Sequence, residues 1–165
     1  LSAFLILYDT GMKASYPLLA ISNLLLMVTT AVVGLMVSGD ESLFMRHMLL
    51  GVLTAMYTCF VHIVLFMYFV VQEKIVTQSI LHHNLDAAYS PRMQSLKSRA
   101  LKLSGLGIAC ILTTSGLGAA INIVSGPTAH LVAAFTTICL HGLVFCLQYL
   151  LIDECVRLKL AAFGE

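Results

Sequence analysis

The sequence predicts an all-α integral membrane protein: an antiparallel four-helix transmembrane bundle with a cytoplasmic helical lead-in before the third helix. Three observations carry this expectation. Of 165 residues, 59% are hydrophobic and only 10% are charged, against about 45–50% and about 25% in an ordinary soluble domain. Mean hydropathy is +0.96. Four long apolar runs are separated by prolines, glycines and charges that fall between the runs. Nine basic and eight acidic residues are too few to clothe a water-soluble globule of 17.9 kDa, because a fold this small exposes most of its polar surface. The same numbers exclude a nucleic-acid binder, with a net charge of +1 and no basic stripe, as well as a disordered tail and a soluble enzyme with a polar cleft.

The elements follow in chain order, within one domain covering residues 1–165. Residues 1–8 are apolar but span about half of the ~20 residues a crossing needs. They carry no basic stretch and do not read as an intact signal peptide, so an interfacial segment or the remnant of a longer helix is expected there. The first crossing is placed at 16–37, with Pro17 in its first turn and Ser38, Gly39 and Asp40 at its close. The second is placed at 43–72, ending at Glu73 and Lys74. At 1.5 Å per residue it measures about 45 Å, longer than the ~30 Å hydrocarbon layer, so it tilts or projects. Residues 75–85 mix polar and apolar side chains and are expected along the membrane surface. Ser90 and Pro91 give a side-chain cap followed by proline, a good helix start. From there the third helix, 91–124, runs into the membrane until Gly126 and Pro127 stop it. The fourth, 130–152, ends at Asp153 and Glu154.

Orientation follows from the basic residues. Lys13, Lys74, Arg92, Lys97, Arg99, Lys102, Arg157 and Lys159 fall on one side and only Arg46 on the other. The positive-inside rule then puts both termini and segment 73–102 on the cytoplasmic or matrix side of a bacterial inner membrane or an energy-transducing organelle membrane.

The third helix holds an internal echo: Ser104-Gly105-Leu106-Gly107 recurs as Ser115-Gly116-Leu117-Gly118. Gly105 with Ala109 and Gly116 with Ala120 are small-xxx-small pairs, which bring backbones close in lipid. Two readings stand: a helix-packing face, or room for a flat cofactor.

Ionisable groups inside a bilayer are costly and mark function. Of six histidines, His82 and His83 lie in the cytoplasmic segment, where contact with solvent or headgroups suffices. His47 and His62 are on the second helix, His130 and His141 on the fourth, and these two helices run in the same direction. His47 and His130 share a level near the outer surface. His62 lies about 22 Å deeper and His141 about 16 Å deeper, each on roughly the face of its predecessor. Facing one another, they form two stacked His–His pairs, and a pair of imidazoles within apolar walls suits the iron of a b-type haem. This pattern resembles the four-helix membrane cytochromes b, in which two helices each supply two axial histidines. The commonest spacing in those proteins leaves 13 residues between the histidines of a helix; here 14 and 10 intervene.

The resemblance implies a b-type cytochrome-like subunit that binds one or two haems b between the second and fourth helices. The inner haem would take His62 and His141, the outer one His47 and His130. Such a subunit passes electrons between quinol and a partner redox protein, and so acts within a membrane complex rather than as a stand-alone enzyme. Two other readings remain open. One is a cofactor-free accessory subunit of a large respiratory or photosynthetic membrane complex, with the histidines as hydrogen-bonded packing. The other is a small metal or proton conduit. Cys59, Cys110, Cys139, Cys146 and Cys155 form no C-x-x-C and read as small apolar residues. A copper site built on Cys139, His141 and Cys146 ranks below haem, because His141 points away from the face the two cysteines share.

Overall fold

The computed structural model describes residues 2–37, 39–83, 86–120 and 126–163, with side chains described between 11 and 163, residue 83 excepted. It is all-helical: α1 (Ser2–Met36), α2 (Glu41–His83), α3 (Tyr89–Ala119) and α4 (Gly126–Phe163). All four helices are long and apolar enough to cross a membrane. α1 packs on α2 and α4, and α3 packs on the same two, so α2 and α4 stand diagonally across the centre.

α1, α2 and α4 run past their expected bounds, and tertiary contacts hold the extensions at the start of α1 and the ends of α2 and α4. α1 begins well before position 16, so Pro17 lies inside the helix and withholds a donor from the Lys13 carbonyl. That extension is tied down: Lys13 forms an ion pair with Asp153 of α4, and Met12 packs on the core. α2 continues to His83 rather than turning onto a surface from position 75; positions 84 and 85 of that expected segment lie outside the described residues. Gln72, Val76 and Ser79 are buried at helical spacing, and Val76 joins Met93, Leu96 and Cys155 in the core. α3 starts at Tyr89 with Ala88 as its N-cap. The anchoring side chain is Asp86, which accepts the Ala88 N–H at 2.8 Å, and Ser90 sits in the first turn. Gly126 and Pro127 open α4 instead of stopping α3, as suits proline in a first turn. The described part of α3 closes at Ala120, whose N–H reaches the Gly116 carbonyl at 3.0 Å; positions 121–124 of the expected helix lie outside the described residues. Asp153 and Glu154 fall inside α4, which runs ten residues past Asp153. Between α1 and α2, Gly39 takes φ 79°, a conformation glycine adopts without strain. The Asp40 carboxylate then caps α2 through the N–H groups of Ser42 and Leu43.

Burial shows a relation between the two halves that the sequence hides. Each buried residue of α4 has a buried counterpart on α2, 83 positions earlier: Thr54 for Thr137, Thr58 for His141, His62 for Phe145, and onward to Ser79 for Ala162. The buried residues of α1, Tyr16, Ala20, Asn23 and Met27, match Ala100, Ser104, Gly107 and Ile111 of α3 at an offset of 84. Few identities accompany this, among them Thr30 and Thr114, Gly34 and Gly118, His47 and His130, and Thr54 and Thr137. The pair α1–α2 and the pair α3–α4 are therefore two copies of one packing pattern. The lysines of two ion pairs are counterparts, although their acceptors are not. Lys13 of α1 reaches Asp153 of α4, while its counterpart Lys97 of α3 reaches Glu73 of α2 at 2.9 Å.

Candidate functional site

The four histidines of α2 and α4 meet in two pairs. His47 and His130 have ring centroids 6.0 Å apart and nearly perpendicular planes; both are half-buried. They are counterparts in the internal repeat, and a position that touches its own counterpart lies on the pseudo-two-fold axis. Their surroundings match. His47 Nδ1 lies 3.1 Å from the Thr30 carbonyl, and His130 Nδ1 lies 3.2 Å from the Thr114 carbonyl. A carbonyl only accepts, so Nδ1 carries the proton in both rings and Nε2 keeps its lone pair. Each ring also rests over the glycine one turn beyond that carbonyl. A Cβ at Gly34 would stand 2.7 Å from the His47 ring, and one at Gly118 would stand 2.7 Å from His130.

His62 and His141 are fully buried, with centroids 5.5 Å apart. Phe145 covers both, at 5.5 Å and 5.6 Å. His141 Nδ1 donates to the Thr137 carbonyl at 2.8 Å, which again leaves Nε2 as the lone-pair nitrogen. His62 is held differently: its Nδ1 faces the Gln148 amide nitrogen at 3.2 Å. Gln148 is in turn bonded to the Tyr16 hydroxyl at 2.6 Å and to Ser104 at 3.1 Å. The Nε2 atoms of His62 and His141 are both buried and have no hydrogen-bond partner of good geometry among the described residues, with the Gly107 backbone close to His141. Buried polar atoms are nearly always partnered. His141 Nε2 keeps its lone pair, and His62 Nε2 does so when Gln148 turns its amide oxygen toward Nδ1, since an amide N–H at Nδ1 leaves the ring proton on Nε2; in that arrangement the two contacting rings offer a donor set suited to a ligand. Gly107 makes the room, since a Cβ there would fall 2.2 Å from His62 Nε2.

The two inner histidines are not counterparts. His141 matches Thr58 and His62 matches Phe145, so His62 lies about one turn further in than the position equivalent to His141. That accounts for the unequal spacings of the sequence, and the rings meet across the step. Where α4 and α3 carry His141 and Gly107, α2 and α1 carry Thr58 and Asn23, hydrogen-bonded at 3.0 Å.

The glycine echo of α3 works through its last members. Gly107 and Gly118 receive histidine rings, while Gly105 and Gly116 have nothing within 4 Å of a notional Cβ and are exposed. The expected small-xxx-small faces, Gly105 with Ala109 and Gly116 with Ala120, therefore do not make the close approaches.

Cys139 and Cys146 are exposed while His141 is buried, so no copper set of the three forms. No group of three or more His, Cys, Asp or Glu side chains gathers among the described residues. His82 is exposed, and the side chain of His83 lies outside the described residues.

Sequence reasoning missed Tyr16, Asn23, Gln72, Ser104, Gln148 and Lys159, all buried. Lys159 Nζ bonds Gln72 Oε1 at 2.6 Å within the bundle. The available signal was the interruption of apolar runs: Asn23 and Gln148 stand seven residues from Thr30 and His141, two turns along one face. Lys159 was hidden because the fourth helix was ended too soon.

No family model, curated protein or solved structure matches the chain.

Proposed function

We propose that the chain is an integral membrane protein whose four antiparallel crossings hold haem b between α2 and α4, acting as an electron-carrying subunit of a membrane complex. Membrane residence is supported by four helices of spanning length and composition. Antiparallel order is supported by contacts that climb α1 as they descend α2, from Asn23 with Thr58 to Thr30 with Thr54. The basic residues favour both termini and segment 73–102 on the inner side, with the cytoplasmic lead-in formed by the inward ends of α2 and α3.

The observation that carries the haem reading is the pairing of buried imidazoles with unpartnered Nε2 atoms. Two imidazoles bound to one metal keep their ring centroids about 6 Å apart, and the two pairs stand at 5.5 Å and 6.0 Å. Three of the rings have Nδ1–H anchored on a backbone carbonyl, the usual support of a metal-binding imidazole. A pair of imidazoles fills two coordination positions, and a macrocycle supplies the rest. When bound, haem supplies a one-electron iron couple. The chain's own part is ligation by His62 and His141 at the inner site and by His47 and His130 at the outer one. Phe145 excludes water, and the glycines of α1 and α3 give clearance. A groove of about 760 Å³ between α3 and α4 has Thr114 and Thr137 in its lining. These are the residues whose carbonyls hold His130 and His141; quinol as the electron donor is proposed from the cytochrome resemblance alone.

A cofactor-free accessory subunit is the second reading, favoured by the direct contact of His62, His141 and Phe145. An optical spectrum separates the two. Protein isolated intact from its membrane and reduced with dithionite is expected to show Soret and α bands of bis-imidazole haem. His62→Ala is expected to remove the inner haem while helicity by circular dichroism is kept. Absence of bands, or full haem content in His62→Ala, overturns the haem reading.

A further inference from the structure

Three of the four paired histidines are held at Nδ1 by a backbone carbonyl, which fixes the ring proton there. His62 alone is held by a side-chain amide, and every group around that amide can reverse its role. Gln148 Oε1 accepts from the Tyr16 hydroxyl, while Gln148 Nε2 faces both His62 Nδ1 and Ser104 Oγ. Hydroxyls donate or accept, and an imidazole nitrogen does either according to its tautomer.

Turning the amide end for end therefore keeps all three bonds with their directions reversed. In one arrangement the amide N–H donates to Nδ1, so the ring proton sits on Nε2, and Nε2 cannot be a ligand. In the other, Nδ1–H and the Ser104 hydroxyl donate to Oε1, the amide N–H donates to the Tyr16 oxygen, and Nε2 offers its lone pair. The two ends of the amide are nearly equal in shape, so packing favours neither.

The internal repeat supplies an independent sign that these residues work as a set. Tyr16, His62, Ser104 and Gln148 come one from each helix. Their counterparts are Ala100, Phe145, Ala20 and Leu65. The fold accepts four apolar residues at these positions in the other copy, so packing does not demand the polar ones.

We propose that Gln148, poised by Tyr16 and Ser104, is a positioning residue that decides which nitrogen of His62 carries the proton, and thereby whether the inner site can ligate metal. The tautomer control stands on the network itself; its use for ligation rests on the haem reading above.

The test uses the full chain in detergent, with ¹⁵N-labelled histidine and with hemin as the probe. Gln148→Glu presents acceptor oxygens to the ring and is expected to hold His62 in the Nδ1–H form in the ligand-free protein, visible in its ring ¹⁵N shifts. Gln148→Met removes the partner and is expected to lower hemin affinity at the inner site by about 10- to 100-fold, the usual cost of losing such a support. The outer site should be unchanged, and Gln148→Glu should retain inner binding. Tyr16→Phe breaks one bond of the trio and is expected to give a smaller loss; it serves if Gln148→Met fails to fold. Unchanged His62 shifts in Gln148→Glu overturn the tautomer control. Wild-type hemin affinity in both Gln148→Met and Tyr16→Phe, or equal loss in Gln148→Met and Gln148→Glu, overturns the positioning role. A wild-type protein that takes up no hemin, yet shows the shift in Gln148→Glu, refutes the haem reading and leaves tautomer control in place.

Discussion

Gly107→Ala is the sharpest probe of the inner site, because the structure fixes both what the new methyl meets and why that group cannot yield. The added Cβ would stand 2.2 Å from His62 Nε2, where ordinary contact begins near 3.4 Å, so the ring must retreat by about 1.2 Å. It has little room to do so. His62 is fully buried, bonded to Gln148 and packed on His141 and Phe145. Overpacking of this kind costs about 1–3 kcal/mol, and loss of the Gln148 bond adds about 0.5–1.5 kcal/mol. Replacing glycine within a helix returns about 0.8–1.0 kcal/mol. The net expectation is destabilisation by about 0.5–3.7 kcal/mol. Gly105→Ala, two residues away on the same helix, meets nothing within 4 Å and should gain up to about 1 kcal/mol from propensity alone. Equilibrium unfolding of the purified protein in mixed detergent micelles, followed by circular dichroism, measures both. If Gly107→Ala proves as stable as Gly105→Ala, His62 does not occupy the space opposite Gly107, and the assignment of that glycine fails.

Two further outcomes test the repeat and the polar interior. Gly34→Ala and Gly118→Ala are expected to destabilise by similar amounts, within about 0.5 kcal/mol of each other, and by less than Gly107→Ala. Both approaches are 2.7 Å, and both rings are half-buried, unlike His62; a severe effect at one site and none at the other contradicts the pseudo-two-fold relation. Asn23→Leu and Thr58→Val should couple in a double-mutant cycle by about 0.6 kcal/mol and at most about 1.7 kcal/mol, the average and upper value for side-chain hydrogen bonds between membrane helices. Zero coupling in the same unfolding assay would show that the buried Asn23–Thr58 bond adds nothing.

Much of the architecture was legible in the residues because hydrophobic runs and their interruptions report directly on transfer to an apolar medium. Runs beginning near Tyr16, Leu43, Leu101 and His130 lie in the cores of α1 to α4, and Gly39 and Asp40 mark the first turn where expected. Helix ends were less legible. The start of α1 and the last turns of α2 and α4 are held by Lys13 with Asp153, by Val76 in the core and by Lys159 with Gln72. The first and the last are contacts between helices distant in sequence, and they offset the cost of polar or charged residues that local patterning assigns to the outside. The site shows the same division. His62 and His141 stood out as ionisable groups deep in apolar runs, whereas Gln148, Tyr16 and Ser104 did not, since nothing in a single helix shows that they converge.

The sequence alone determined the helical class, the number of helices long and apolar enough to cross a membrane, and the four histidines worth following, because each depends on the solvent preference of side chains within one segment. Only tertiary structure decided that His62 meets His141 across a one-turn step, that Gly107 rather than Gly105 receives a ring, and that the two halves repeat. Those outcomes depend on the relative rotation and level of different helices. Packing sets both, and widely different residues satisfy it, as Gln148 and Leu65 do at matching positions.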